Sequence, residues 1–242
     1  RYMINKPRKA STIIVAKECN NKQDKFEILM LQRHPGNKFM PLKYVFPGGS
    51  MDLQDKKSEL VEYCHGLSRD KAMEIISDND LKEKCIASWI TGIRETFEET
   101  GILFAYDKNK NLVKINNNEK RKKYEQYRKL IYEKKITFDD LIRKEELKLS
   151  TDQVHYFSHW ITPRLSPIRF DTRFFLAKAP EKQPVSHDKI EITNHIWISP
   201  SEALNRYDDN KLNMAYPTVI TLQEIARFNS LNELINSTSC SN

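Results

Sequence analysis

Arg94-Glu95-Thr96-Phe97-Glu98-Glu99-Thr100-Gly101 places three glutamates and an arginine within six residues of a helix-compatible segment that stops at a glycine. At about 100° per residue, Glu98 lies roughly 60° around the helix axis from Glu95 and Glu99 roughly 40°. All three carboxylates therefore share one face, with Arg94 one turn before Glu98 on the same side. Like charges at this spacing repel and cost helix stability. Hard divalent cations prefer oxygen ligands and would offset that repulsion. A solvated acidic face is the commoner explanation of such a run, but Ile90 and Ile93 before it and Ile102, Leu103 and Phe104 after it embed the patch between core segments. Upstream, Pro47-Gly48-Gly49 reads as a tight turn whose backbone can approach a ligand without Cβ interference. Asp52 and Asp55 just beyond it add more carboxylates. These residue types point to a metal site: Glu98 and Glu99 as ligands, with Glu95 completing the cage or accepting a proton from water. Arg94 stays protonated and cannot be a base, so its planar fork suits holding a glutamate in orientation. An all-oxygen ligand set favours Mg2+, with Mn2+ as a substitute.

The two stretches together resemble the Nudix box. Gly49 stands at its glycine, Asp55 where the family usually carries glutamate, and Arg94, Glu95, Glu98, Glu99, Gly101 and Ile102 fit its second half without a gap. Here the box is split, because 38 residues, 56 to 93, separate Asp55 from Arg94. A long insertion at that point looks like the peroxisomal coenzyme A diphosphatase group of Nudix hydrolases, the nucleoside diphosphate-linked moiety X motif 19 type. Trp160-Ile161-Thr162-Pro163 and Arg169-Phe170-Asp171-Thr172-Arg173-Phe174-Phe175-Leu176 look like that group's second segment, so the resemblance runs from about Ser11 to Phe228. It implies hydrolysis of coenzyme A or acyl-CoA to 3′,5′-ADP and 4′-phosphopantetheine or its acylated form. It also implies a metal-binding carbonyl at Gly49 and a further acid from a later loop, for which Glu191 is the candidate. Asp171 and Arg173 come from the second segment as substrate-binding candidates, on a predicted strand where both face one side. Structural ion pairing is the alternative for them. Arg33, at the end of a predicted strand, could reach a substrate phosphate or be a surface charge.

Other readings of the same residues stand beside this one. The site could serve another nucleotide, such as NADH, FAD, ADP-ribose or capped RNA, since pocket side chains and not the box set that choice. The fold could also be a non-catalytic module for RNA or protein. Three intact, mutually repelling glutamates argue against that.

Bulk properties narrow the class. At 242 residues the chain suits one domain, 1–242, with helical insertions at about 56–85 and 116–148. No apolar run of about 18 residues or more occurs, so no membrane span is expected. Cys19, Cys64, Cys85 and Cys240 lack metal-finger or paired redox spacing, which favours a reducing, intracellular home. A peroxisomal or mitochondrial address is implied by the resemblance only, for Ser239-Cys240-Ser241-Asn242 is not Ser-Lys-Leu. The net charge of +7 favours anionic ligands. A small-molecule substrate is expected, and no stable nucleic-acid partner. Lys120-Arg121-Lys122-Lys123 and Lys134-Lys135 flank Tyr124, Tyr127, Leu130 and Ile131 on an amphipathic helix whose basic side reads as solvated, or as a contact for the 3′-phosphate. His155 and His159 have a zinc-like spacing, but in a strand-like run with no acid or thiol at a telling distance.

Strand character at Ser11–Lys17, Phe26–Arg33, 44–46, 102–106, 154–162, 170–179 and 196–198 alternates with helical segments. The first pair is joined by the polar turn 20–24. Ser68 reads as an N-cap, Asp80 as the start of one long helix through Thr100, and Thr137-Phe138-Asp139-Asp140 as a capping box. Thr218–Phe228 is the last predicted helix. The fold class is α/β: a Nudix-type mixed sheet sandwiched between helices, with helical insertions inside the box and after it.

Overall fold

Along the first two predicted strands every residue of the central stretch is apolar, and alternate side chains must then be buried on opposite faces. The computed structural model, which describes residues 6–19, 25–37, 40–186 and 191–239, shows this arrangement. Ile13, Val15, Leu29 and Leu31 enter one core and Ile14, Ala16, Ile28 and Met30 the other. In chain order the elements are β1 (Arg8–Glu18), β2 (Phe26–Arg33), β3 (Tyr44–Val45), β4 (Gly48–Ser50), α1 (Ser58–Val61), α2 (Arg69–Ile76), α3 (Ala87–Thr100), β5 (Ala105–Tyr106) and α4 (Asn118–Tyr132). They continue with α5 (Phe138–Lys144), β6 (Lys148–Leu149), β7 (His155–Ile161), β8 (Phe170–Lys178), β9 (Ile192–Ile198), α6 (Pro200–Asp208), α7 (Tyr216–Ile225) and α8 (Leu231–Ser239).

A mixed seven-stranded sheet organises them, with the path β3-β2-β1-β8-β7, β4 beside β1 and β9 beside β2. β1 runs parallel to β8 and antiparallel to β2 and β4. Because β1 is long, its second half pairs with β2 and its first half, Ala10–Thr12, pairs with Gly48–Ser50. One face of the sheet is covered by α3 with the inserted α1, α2, α4 and α5, through Leu60, Ala72, Ile90, Phe97, Tyr124 and Leu141. The other is covered by α6, α7 and α8, through Ala203, Leu222, Ile225 and Leu234. The expected α/β sandwich is therefore present, and both insertions lie on the α3 side.

Four local expectations change. Residues Gly48–Ser50 form a strand, not a tight turn: a Cβ on Gly48 would stand 2.4 Å from the Ser11 carbonyl and 2.7 Å from Thr12 Cα, so glycine is what lets β4 lie this close to β1. The long helix from Asp80 does not form. The Asp78 carboxylate accepts the N–H groups of Asp80 and Leu81 at 2.9 and 3.3 Å, and Lys82 is left-handed at φ 48°. A 3-10 turn at Lys82–Lys84 intervenes before α3 begins at Ala87. The segment 102–106 narrows to β5, which pairs with β6 in a separate two-stranded sheet. An eighth helix, α8, follows the one read as last, burying Leu231 and Leu234. Ser68 and the Thr137–Asp140 box cap their helices as expected. The turn 20–24 and Cys240 lie outside the described residues.

Candidate active site

Helix α3 packs on β1 and β4, which sets its acidic face against the two glycines. Gly101, left-handed at φ 76°, ends the helix. Asp55, in a 3-10 turn just after β4, anchors the arrangement. Its oxygens receive Arg94 Nε and Nη2 at 2.8 and 2.9 Å, Thr91 Oγ1 at 2.9 Å and the Asp52 N–H at 2.8 Å. Arg94 Nη2 also donates to the Ser50 carbonyl at 2.9 Å, and Nη1 reaches Glu95 and Glu98 at 3.0 and 3.3 Å. The guanidinium thus ties the strand that carries the glycines to two of the three glutamates. The third, Glu99, accepts the Gly48 N–H at 2.9 Å. Gly49 lies so close to Glu95 that a Cβ there would meet its carboxylate carbon at 2.5 Å.

Burial dominates the electrostatics. It pushes the Glu95 carboxyl up to about 8, against the pull of Arg94 and with the push of Glu98 and Asp55. Glu98 is raised for the same reason, and Glu99 is raised well above the ordinary range, with Glu95 adding to the desolvation. For Arg94 burial acts to lower the pKa, and its hydrogen bonds to Asp55 and the charge of the surrounding carboxylates more than reverse it. Arg94 thus faces Asp55, Glu95 and Glu98 at once, while the Gly48 N–H holds Glu99. Such a set fits a hard divalent ion, which would supply the missing positive charge to Glu95, Glu98 and Glu99. Among the described residues no three acidic, histidine or cysteine side chains already converge at ligating distance. Glu95 and Glu98 are instead turned onto Arg94, and rotating them outward is what ion binding would require.

This carboxylate-lined helix beside a glycine strand can be placed among known proteins. Residues 7–227 match the sequence model of the NUDT19 Nudix domain. The chain belongs to that family. It is 29% identical to the acyl-coenzyme A diphosphatase NUDT19 of Xenopus laevis and 28% identical to that of Homo sapiens, over 89% and 86% of its length. In both cases it spans 63% of the relative's own length. Among solved structures, a NUDIX hydrolase from Alicyclobacillus acidocaldarius shares the fold with a TM-score of 0.75 and 22% identity, the match covering 96% of this chain and 97% of that one.

Within the Nudix domain the remaining candidates separate into two groups. Arg33, ending β2, and Glu191, preceding β9, stand beside the acidic helix: the charge of Arg33 draws the Glu99 carboxyl down and that of Glu191 pushes it up. Asp171 and Arg173 lie elsewhere, on the α3 side of β8 and turned away from the large cleft. Asp171 binds Lys9 Nζ at 2.8 Å and His159 Nε2 at 2.6 Å, and Arg173 binds Asp171 and Asp78 at 2.8 Å each. They fasten the first insertion to the sheet. His159 is thereby a hydrogen-bond partner of Asp171, while His155 borders a different hollow with Trp89 and Thr151. The basic residues 120–123 of α4 are exposed. None of them borders the cleft.

The cleft itself, about 480 Å³, opens next to Gly48 and Gly49 on the α7 side of the sheet. Thr12, Phe46, Trp160, Phe170, Thr172 and Phe174 are among its walls, with Arg33 and Lys43 at its rim. Alternation along β8 puts Phe170, Thr172 and Phe174 here and Asp171 and Arg173 on the opposite face.

Sequence reasoning missed Arg128. From α4 it donates Nε and Nη2 to the Glu98 carbonyl at 3.1 and 2.8 Å, and Nη1 to the Ser186 carbonyl and hydroxyl at 2.6 and 2.8 Å. A cation at the C-terminal turn of the helix that carries the glutamates is favourable to the helix dipole as well. Arg128→Ala is expected to lower stability by about 2 kcal/mol in urea unfolding, the scale of a hydrogen-bonded charge. Turnover should fall with it, and Arg128→Lys should recover part of both. Unchanged unfolding of the alanine variant would refute the clamp.

Proposed function

We propose that this Nudix domain hydrolyses the diphosphate of coenzyme A or acyl-CoA, releasing 3′,5′-ADP and 4′-phosphopantetheine or its acylated form. The observation that carries the reading is the desolvated trio Glu95, Glu98 and Glu99 on one helix face, with Glu95 and Glu99 set against Gly49 and Gly48, which line a cleft that also includes Arg33 and Lys43. The likeness to acyl-coenzyme A diphosphatases over most of this chain supports the choice of substrate. Glu95, Glu98, Glu99 and the Gly49 carbonyl would hold the metal, Mg2+ or Mn2+, with Glu191 at the edge of the set. When bound, such an ion neutralises diphosphate oxygens and acidifies the attacking water.

The chain's own residues do the rest. Arg94, locked by Asp55, keeps a fixed positive charge beside Glu95 and Glu98. Arg33, which lines the cleft and whose charge acts on Glu99, draws the anionic substrate toward the carboxylates it would otherwise be repelled by. Glu95, closest to Gly49, serves as a ligand or takes the proton of the water. Incubation with coenzyme A and Mg2+, followed by chromatography, is expected to yield 3′,5′-ADP and 4′-phosphopantetheine, and EDTA to abolish both. Brisk cleavage of NADH, FAD or ADP-ribose with coenzyme A left intact would overturn the substrate while sparing the chemistry.

A further inference from the structure

Aromatic and aliphatic side chains make up most of the cleft wall, with the hydroxyls of Thr12, Thr162, Ser166, Thr172 and Thr218 among them. Among the described residues its lining includes two cations, Arg33 and Lys43, and no acid, and Arg33 is the one whose charge acts on Glu99. Phe46 and Phe174 meet edge to face at 6.4 Å against its floor. Toward solvent the wall continues through Trp160 and Tyr216, whose rings also meet edge to face, at 6.2 Å and 84°. Tyr216 is 70% exposed, and Leu165, between the lining residues Pro163 and Ser166, is 99% exposed. Large apolar side chains gathered at a pocket mouth are the mark of a surface that is covered when the ligand arrives.

We propose that this cleft seats the extended apolar arm of an acylated substrate, and that Trp160 and Tyr216 set the preference for acyl-chain length. The inference rests on the diphosphatase reading and adds to it the direction in which the substrate lies. The diphosphate meets the glutamates by Gly48 and Gly49, and the arm runs outward past Phe174 and Trp160. An adenine base is the competing occupant. Stacking a base between Trp160 and Tyr216 would need two parallel faces, and a near-perpendicular pair at 6.2 Å offers none. A flexible chain makes no such demand. It gains by covering successive apolar side chains, at about 0.8 kcal/mol for each methylene buried.

Binding measured calorimetrically in EDTA, where no turnover is expected, tests this with four probes: coenzyme A, octanoyl-CoA, dodecanoyl-CoA and 3′,5′-ADP. The wild-type chain is expected to bind dodecanoyl-CoA at least about tenfold more tightly than coenzyme A. Tyr216→Ala and Trp160→Ala are each expected to reduce that ratio to about threefold or less. A ratio near one in the wild type, or one that both variants retain, would overturn the inference. So would equal weakening of all four probes, 3′,5′-ADP included, because that outcome places the base in the cleft. Chain-length-dependent binding by a protein that cleaves no coenzyme A once Mg2+ is restored would sink the diphosphatase reading and leave the apolar seat standing.

Discussion

Glu98→Gln and Glu99→Gln are each expected to lower turnover by more than about a hundredfold while the protein melts at or above the wild-type temperature. The size follows from the role. Changes to groups that merely support metal ligands typically cost about 10–100-fold, and these two are proposed as ligands themselves. The direction of the stability effect comes from the desolvation already described. Burial raises the pKa of both carboxyls, so the charged forms are held in the fold at a cost. A neutral amide of the same shape removes part of that cost. It also keeps the local contacts, because a glutamine oxygen at position 99 can still accept the Gly48 N–H. Loss of activity and loss of stability are thereby uncoupled, which a damaged fold would not produce. Steady-state turnover and thermal unfolding of the two variants decide the matter. If either variant retains turnover within a fewfold of wild type, its glutamate is not a ligand of the working ion.

Much of this site could be read from sequence because it is local. Glu95, Glu98 and Glu99 fall on one face by helical geometry alone, and Gly48 and Gly49 announce a close approach of backbone wherever they are placed. What spacing could not supply was the partner of each charge. Asp55 stands where the family usually has glutamate, and its function as the bidentate anchor of Arg94 depends on a turn that closes across the 38-residue insertion. In sequence nothing sets Arg128 apart on a lysine-rich helix, and only the packing of α4 on the end of α3 gives it the Glu98 carbonyl. The helix expected from Asp80 failed for a related reason. Asp78 spends its carboxylate on two backbone N–H groups and on cations from distant strands, and that long-range demand overrides local helix propensity. α8 was missed because its stretch ends in serine, threonine and asparagine, and Leu231, Leu234 and Ile235 alone carry its apolar face.

The same ion-pair network gives the second large effect, and it concerns stability. Lys9 Nζ lies 2.5 Å from Asp78 and 2.8 Å from Asp171, and Arg173 binds both acids, so two cations and two anions share a site that is almost closed to solvent. Breaking one member of such a set leaves buried charge without its partner, which costs about 3–5 kcal/mol. Asp78→Ala and Asp171→Ala are each expected to lose that much in urea unfolding. Asp78→Ala should also raise hydrogen exchange through residues 69–85, because Asp78 is the point at which the first insertion is fastened to the sheet. The pH dependence has a definite sign. Burial alone would raise both carboxyls, but the bonds from Lys9 to Asp78 and from His159 and Lys9 to Asp171, with the charge of Arg173, hold both below the usual range, Asp171 furthest. For acids depressed in the folded state, the stabilisation is complete above the unfolded value of about 4 and is lost as pH falls from there toward the folded values. Wild-type stability should therefore decline steeply below about pH 4, and the decline should be shallower in Asp171→Ala, which has already lost the group that titrates. Variants that unfold within about 0.5 kcal/mol of wild type, the range of ordinary surface changes, would show the network to be dispensable.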